Sequence, residues 1–398
     1  MKKVYDLYLD YNLISNRKNV KNSLVIGKIE SLSQFISGNV KLVINESDYS
    51  LLGEKILTAL KNSASKVILN LVDDGDCLSL EKAISNGGDK VLVVGDNDLL
   101  DKVRCFSSKC NAFCYALPTT PYLEEVNKPS VYLKKDDFSM EFSVKPFEKV
   151  LVVEDVILKA DNSFFAKSYI SVMSKLTALI DYKINCFLSG AKVDDEVFSI
   201  AKRAINLLAS ITNYQNYKSA ILGGQMILSS IGDASPFDGT GVDVIYKALK
   251  VFANGVSDGK SLLTAFEKTA KIYHMYFSND FSSLLSLPDY QSDLELLETA
   301  SGLKRNFFYK NLKIPSEKRR KLISILLAKI RDDFKKETSL ILSVLPTVIK
   351  IYNQLDGTAK EYISYKQIKN SVTLGTYLTE KTSVLTLCRD EGILKCAN

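Results

Sequence analysis

The sequence predicts an α/β N-terminal domain with a parallel sheet over residues 1–160, followed by an all-α domain over residues 161–398. Up to about residue 160, short apolar runs rich in β-branched residues alternate with helix-length segments. Beyond that point, apolar residues recur at helical spacing over long segments. The length of 398 residues also fits two domains better than one.

The strand-length runs of the N-terminal part have the order expected for a parallel sheet covered on both faces. Helices are expected between them over 49–61 and 79–88, the second closed by glycines, as helix ends often are. Ligands of such sheets bind beyond the carboxyl ends of the strands. The predicted strands cover residues 23–27, 40–45, 66–72, 90–95 and 112–118, with further candidates between 130 and 158.

The second half reads as helices joined by short turns, with turn signals at 232–241, 286–290 and 313–317. The predicted helices cover residues 166–188, 194–213, 218–231, 242–255, 259–277, 291–312, 316–334, 338–354 and 359–369.

The composition is that of an ordinary globular protein, with 46% hydrophobic and 25% charged residues and a net charge of +6. No stretch approaches the ~20 apolar residues of a membrane span, and the N-terminus lacks the apolar core of a signal peptide. We therefore expect a cytoplasmic protein. Basic residues outnumber acidic ones between Lys304 and Lys336, but no aromatic-interleaved motif accompanies them. Solvated helix faces explain that run, so neither a nucleic-acid nor a membrane partner is expected.

Few side chains could hold a metal ion. The seven cysteines are scattered, and their one cluster, at Cys105, Cys110 and Cys114, matches no common zinc pattern. The single histidine, His274, lies in a strongly apolar helical segment, where packing is its expected role. A site with several histidine ligands is therefore excluded.

The turn after the predicted strand 90–95 is the most informative segment for function. It reads Gly95-Asp96-Asn97-Asp98, and the next strand ends in Pro118-Thr119-Thr120. Nucleotide-binding proteins place glycines in such a turn so that backbone amides can approach a pyrophosphate. Here two carboxylates stand in that place, and at an effective dielectric near 20 unit like charges about 4 Å apart repel by roughly 4 kcal/mol. We therefore expect NAD(P) to bind weakly or not at all.

Four segments match known patterns in the same order. Where the first pattern reads Gly-Gly-Gly-Ser-x-x-Asp-x-x-Lys, the chain has Gly95, Asp96, Asn97, Asp98, Asp101 and Arg104, and a Pro-Thr-Thr falls on Pro118, Thr119 and Thr120. The pattern Gly-Asp-x-x-Ser-x-x-Thr-Ala-x-x-Asp-Trp falls on Ile170, Ser171, Ser174, Thr177, Ala178, Asp181 and Tyr182. The pattern Gly-Ser-Ser-x-Pro-x-Ser-Gly-x-Glu-His, with a later His-Gly, falls on Gly232, Asp233, Ala234, Pro236, Asp238, Gly239, Gly241, Val242, Asn254 and Gly255.

By these segments, roughly residues 20–330 resemble the dehydroquinate-synthase-like superfamily, in which the sheet is Rossmann-like. That group includes the iron-containing alcohol dehydrogenases, glycerol dehydrogenase and, most similar here, glycerol-1-phosphate dehydrogenase. The resemblance implies NAD(P) and a metal held by one aspartate and two histidines, which polarises the substrate oxygen. The matching positions are Ser171, Val242 and Asn254. Valine cannot bind a metal, and serine and asparagine are weak neutral ligands, so no metal is expected.

Three functions follow. The leading hypothesis is a degenerate, non-catalytic member of this superfamily that acts as a scaffold or binds a partner, as a homo-oligomer or with another protein, and needs no cofactor. The first alternative is an active dehydrogenase of glycerol-1-phosphate or a related polyol, with NAD(P) and a divalent metal. The second is a metal-free enzyme or small-molecule sensor that uses the interdomain cleft, with Lys175 and Asp238 as candidates. Lys175 falls on the helix that would carry the metal-binding aspartate, so its ammonium group could replace a cation.

Overall fold

The structure, a computed structural model, describes most of the chain from Ser23 onward. The predicted helix over 79–88 lies outside the described residues apart from three positions, and Asn254 and the Gly232–Ala234 segment lie outside them entirely. The described residues are 23–72, 80–81, 84, 90–135, 138–209, 217–231, 236–253, 255–278, 290–301, 316–356, 361–377, 382–391 and 393–394.

The predicted parallel sheet is confirmed. The described strands are β1 (Leu24–Ile26), β2 (Gly38–Asn45), β3 (Ala64–Val72), β4 (Lys90–Gly95), β5 (Phe113–Pro118), β6 (Ser130–Lys135), β7 (Phe138–Ser143) and β8 (Lys149–Val152). Six of them form one parallel sheet in the order β1-β8-β5-β4-β2-β3, while β6 and β7 pair as a separate antiparallel hairpin. The turns after β4 and β5 therefore lie side by side at the carboxyl edge of the sheet.

The central strands are largely apolar because helices cover the sheet, with Lys41 of β2 as a buried exception. Leu42, Ile44, Leu92, Val94 and Leu117 are all fully buried in one core cluster. Two longer helices, α1 (Glu46–Lys61) and α2 (Asn97–Lys109), pack against the sheet, together with a 3-10 helix (Ile29–Gln34). Each of α1 and α2 follows a strand directly, so its N-terminus also lies at the carboxyl edge.

After Val152 every element of the described residues is a helix. This confirms the prediction beyond residue 160, whereas the short helix Glu154–Ile157 lies in the 130–158 segment where strands were expected. The helices are α3 (Glu154–Ile157), α4 (Asn162–Ser189), α5 (Asp195–Ala209), α6 (Tyr217–Ser229), α7 (Gly241–Phe252), α8 (Asp258–Ser278), α9 (Tyr290–Ser301), α10 (Glu317–Ala328), α11 (Arg331–Leu355), α12 (Tyr365–Gly375) and α13 (Val384–Asp390). None of the helices that the described residues form is long and apolar enough to cross a membrane.

Some predicted helix boundaries are wrong. The helix predicted over 359–369 begins only at Tyr365, where the Ser364 side chain caps it, and continues to Gly375. A break between helices was predicted at 335–337, whereas α10 ends at Ala328 and α11 begins at Arg331. Asp332 and Asp333 lie in the first turn of α11, where the helix dipole favours carboxylates. The buried stripe of α11 then continues through the predicted break, since Phe334 and Thr338 are both buried.

The chain divides into two compact units. The first comprises residues 1–168 and 206–235, and the second comprises residues 169–205 and 236–398. Helix α6 thus belongs to the same unit as the sheet. The predicted boundary at residue 160 marks the change from strands to helices, whereas the two units are defined by compactness. The boundary therefore stays a prediction.

Candidate functional site

In the turn after β4, the Asp96 side chain caps the helix that follows. This residue is the N-cap of α2, and its side chain accepts a hydrogen bond from the backbone N–H of Leu99 at 3.1 Å. Its backbone carbonyl accepts the first intrahelical bond, from Leu100 at 2.9 Å. The N–H groups of a helix's first turn are the donors that bind an anion when no side chain caps them. Here a carboxylate of the chain takes one of those donors and places a negative charge at the helix N-terminus.

Asn97 ties this turn to the segment after β5. Its side-chain amide donates to the carbonyl of Tyr122 at 2.7 Å, and its side-chain oxygen accepts from the Thr120 hydroxyl at 2.9 Å. The backbone N–H of Thr119 donates to the carbonyl of Gly95 at 2.9 Å. The structure therefore brings together the predicted site residues of the two turns. Their polar groups form hydrogen bonds with one another.

The Asp48 carboxylate of α1 also contacts the segment after β5. The Thr119 hydroxyl donates to the Asp48 carboxylate at 3.4 Å. Asp48 lies in the first turn of α1, where the Asn45 side chain caps its backbone N–H at 2.7 Å. The N-termini of α1 and α2 at this edge are thus both capped by side chains of the chain itself.

Asp98 and Asp101, the other acidic residues of the pattern, face along α2. Asp98 is exposed and forms an ion pair with Lys102 one turn later. Asp101 is 17% exposed and lies 3.5 Å from the Arg104 guanidinium. Burial raises the pKa of Asp101 to about 7, the positive charge of Arg104 offsets part of that rise, and the nearby carboxylates of Glu125 and Asp98 add to it.

Arg104 stands where the family pattern has lysine, and it is a structural residue. Its side chain is 1% exposed and donates to the carbonyls of Val126 at 2.8 Å and Lys128 at 3.1 Å. Its guanidinium carbon lies 5.1 Å from the centre of the Phe147 ring. These contacts hold the loop after Tyr122 in place, so the guanidinium is committed to the protein rather than to a phosphate.

Sequence reasoning missed Gln225, which fixes the other side of the same loop. It lies fully buried on α6, and its side-chain oxygen accepts from the backbone N–H groups of Leu123 at 3.1 Å and Glu124 at 3.0 Å. Its amide donates to the carbonyl of Ser168 at 3.0 Å. The available signal was a glutamine inside the largely apolar run 220–228, since a buried amide needs specific partners.

The two metal-equivalent positions that the structure describes lie in the second unit and supply neither a carboxylate nor an imidazole. Ser171 on α4 and Val242 on α7 are each 3% exposed, and Asn254 lies outside the described residues. Within the part of the chain that the structure describes, no group of three or more histidine, cysteine, aspartate or glutamate side chains could hold a metal ion. One hydroxyl and one alkyl group do not fit Zn²⁺ or Fe²⁺, which take imidazole, thiolate or carboxylate ligands.

His274 and Lys175, the other polar candidates of this unit, contact protein groups. The ring nitrogens of His274 lie 3.3 Å from the hydroxyls of Thr338 and Ser278, which agrees with a packed helix position. Lys175 is buried on α4, and its ammonium group lies 5.8 Å from the centre of the Phe237 ring, next in sequence to Asp238. This contact places Lys175 near the predicted Asp238 segment and leaves its functional role a prediction.

The chain is similar in sequence to curated proteins that share one name. No family model matches the chain. It is 25% identical over 190 residues to the glycerol-1-phosphate dehydrogenase [NAD(P)+] of Picrophilus torridus, covering 46% of this chain and 51% of that protein. With the enzyme of the same name from Archaeoglobus fulgidus, identity is 22% over 211 residues, covering 52% and 56%. The chain therefore spans about half the length of the curated relatives it matches.

Solved structures share the fold over nearly the whole chain. An archaeal halo-thermophilic alcohol dehydrogenase from a Red Sea brine pool superposes with a TM-score of 0.58 at 13% identity, covering 95% of this chain and 99% of that one. The iron-containing alcohol dehydrogenase of Thermotoga maritima gives 0.54 at 11% identity, covering 93% and 96%. At these identities the likeness establishes the fold alone.

Proposed function

This chain belongs to the superfamily of the iron-containing alcohol dehydrogenases and glycerol-1-phosphate dehydrogenases, and from that premise we propose that it is a non-catalytic member that acts as a scaffold or partner-binding protein. The observation that carries the proposal is the turn Gly95–Asp98, whose side chains bond to the protein where the family's glycines leave room for a diphosphate.

Each side chain in the turn makes a bond within the protein. Asp96 caps α2, Asn97 crosslinks the turn to the segment after β5, and Asp98 pairs with Lys102. A diphosphate at the helix N-terminus would have to displace the Asp96 carboxylate or lie against it. Two like charges about 4 Å apart cost roughly 4 kcal/mol at an effective dielectric near 20, which is comparable to the whole free energy of millimolar binding.

The metal-equivalent positions support the same proposal independently. Ser171 and Val242 are both buried, and neither supplies a carboxylate or imidazole. A chain that keeps the fold but loses the chemistry of two separate sites is better suited to assembly, as a homo-oligomer or with a protein partner, than to hydride transfer.

Calorimetric titration with NADH and NADPH tests the cofactor part. We expect no micromolar binding by the wild-type chain and a gain of binding by the triple variant Asp96→Gly, Asn97→Gly, Asp98→Ser. Glycine at an N-cap costs only a few tenths of a kcal/mol, so the variant should stay folded. The matched control is Ser364→Gly, which removes the side-chain cap of α12 in the other unit. Micromolar binding by the wild type would overturn the proposal.

The alternative is an active dehydrogenase, and the curated relatives favour it by their names. Its test is the NAD(P)H-linked reduction of dihydroxyacetone phosphate, with and without added Zn²⁺ or Fe²⁺ and with an authentic glycerol-1-phosphate dehydrogenase as positive control. We expect no turnover and no stoichiometric transition metal in protein purified without an affinity tag. Turnover, or one metal per chain, would establish the enzyme instead.

A further inference from the structure

The charge of the chain is concentrated in one segment. Residues 304–336 contain twelve Lys or Arg residues and three Asp or Glu residues, a net charge of +9, whereas the whole chain carries +6 and its remainder therefore −3. Such a concentration of positive charge in one segment favours the binding of an anionic partner. Charge alone did not favour a membrane partner in the sequence analysis, because solvated helix faces explain a basic run equally well.

Helix α10, within this segment, exposes apolar side chains between its lysines. Leu322 is 56% exposed and Ile325 is 60% exposed. Lys318 lies one turn before Leu322 and Lys329 one turn after Ile325, and both are exposed as well. At the helical rotation of about 100° per residue, Lys318, Leu322 and Ile325 share one stripe of α10. Lys329 follows in the turn directly after the helix, and we count it with this stripe.

The orientation of α10 is set by its one buried leucine. Leu327 is 5% exposed and falls roughly opposite Lys318 on the helix, so the stripe from Lys318 to Lys329 faces away from the protein. Lys321 borders that stripe and is also exposed. Leucine and isoleucine side chains are not stabilised by exposure to water. Solvation therefore explains the exposed lysines of α10 but not the exposure of Leu322 and Ile325.

We propose that the exposed stripe of α10 docks on an anionic lipid surface. Leu322 and Ile325 would enter the acyl boundary, while Lys318, Lys321 and Lys329 would extend to the headgroups, as long cationic side chains do. A nucleic acid would use the charge but not the apolar pair. Because the stripe combines both components, the bilayer surface is the partner it fits, and this docking does not depend on whether catalysis is retained.

Vesicle flotation with the full chain tests the proposal. We expect binding to phosphatidylcholine vesicles containing phosphatidylglycerol at low salt, weak binding to pure phosphatidylcholine, and release at high salt. The variant Leu322→Ser, Ile325→Ser should lose roughly tenfold or more of the partition coefficient. The variant Lys318→Gln, Lys321→Gln, Lys329→Gln should lose on the order of 100-fold, from about fivefold per lysine.

Matched controls come from α1 and β3 in the other unit. Leu51→Ser changes a leucine that is 76% exposed, and the triple variant Lys55→Gln, Lys61→Gln, Lys66→Gln removes three exposed lysines. Both should bind vesicles as the wild type does, and circular dichroism should show all variants folded.

Two results would overturn the proposal. One is failure of the wild type to bind anionic vesicles at low salt. The other is equal binding by the wild type and the Leu322→Ser, Ile325→Ser variant. Binding of duplex DNA or transfer RNA that the apolar variant retains, without vesicle binding, would assign the basic segment to nucleic acid.

Discussion

The Asp181 carboxylate accepts a hydrogen bond from the Tyr273 hydroxyl at 2.5 Å, and both side chains are fully buried. The same carboxylate accepts from the backbone N–H groups of Gly241 at 2.8 Å and Val384 at 2.9 Å, which begin α7 and α13. One side chain of α4 thus joins three other helices of its unit. It also places a carboxylate at two helix N-termini, where negative charge is favoured.

Removing the Tyr273 hydroxyl should destabilise this unit. In Tyr273→Phe the carboxylate keeps its backbone donors but loses a buried charge-assisted bond, so we expect the free energy of unfolding to fall by about 1.5–3 kcal/mol. Urea unfolding followed by circular dichroism measures the change. Tyr362→Phe, at a tyrosine that is 81% exposed, is the control and should leave stability unchanged. Equal stability of the two variants would contradict this role of Asp181.

Gly241 is required by the approach of Tyr273. A Cβ atom at Gly241 would lie 2.1 Å from the Tyr273 hydroxyl oxygen, so Gly241→Ala should cost about 1–3 kcal/mol through overpacking. In the Tyr273→Phe background the hydroxyl is gone and the cost should shrink. Relief should be partial, because the Tyr273 ring and the Thr269 methyl group remain 2.9 and 3.0 Å from that Cβ. A double-mutant cycle in urea measures this coupling, and strict additivity would contradict it.

Stability should depend on pH through Asp181. Burial raises its pKa to about 6, although bonds from Tyr273, Gly241 and Val384 favour the ionised form. The folded chain therefore holds this proton more tightly than the unfolded chain, in which the pKa is about 4. The contribution to stability is fully present below pH 4 and is lost as the pH rises through 6.

Comparison of the wild type with Asp181→Asn isolates this titration. The difference in unfolding free energy between the two proteins should shift in favour of the variant from pH 4 to pH 7, by on the order of 3 kcal/mol. Urea midpoints at four pH values are sufficient. A constant difference would show that Asp181 titrates near its ordinary pKa in the folded chain.

Arg104 should not be replaceable by the lysine of the family pattern. Lysine offers one point charge in place of a planar fork, so Arg104→Lys should lose the simultaneous bonds to Val126 and Lys128. We expect a loss of about 3–5 kcal/mol from a buried cation left with fewer partners. Hydrogen exchange should accelerate over 123–128. Lys109→Met, which removes an exposed cation on the same helix, is the control, and unchanged exchange in Arg104→Lys would contradict the role.

The sheet was predictable because its strands are short, apolar and separated by helices. Runs such as 90–95 and 112–118 predict parallel strands covered on both faces, although their order in the sheet came only from the structure. The α10–α11 boundary was not found, because Lys329-Ile330 contains neither glycine nor proline. Asp332 and Asp333 were the only local signal for it, and acidic pairs also occur within helices.

The candidate turn was located from the sequence, but its internal bonds were only partly foreseeable. Aspartate before a helix is a common N-cap, so the role of Asp96 was available from the pattern. The positions of Tyr122 and Thr120 relative to Asn97 depend on how two separate turns meet at the sheet edge. Long-range contacts of this kind, like those of Gln225 with Leu123, are invisible to local spacing.

The cap at Asp96 has a consequence for how the chain depends on its surroundings. A turn that needs a bound anion gains stability only in proportion to the supply of that ligand. Here the anion is covalently part of the chain, so the cap of α2 forms without any bound ligand. If the proposed non-catalytic role is correct, we expect the order of this turn to be the same with and without nucleotide.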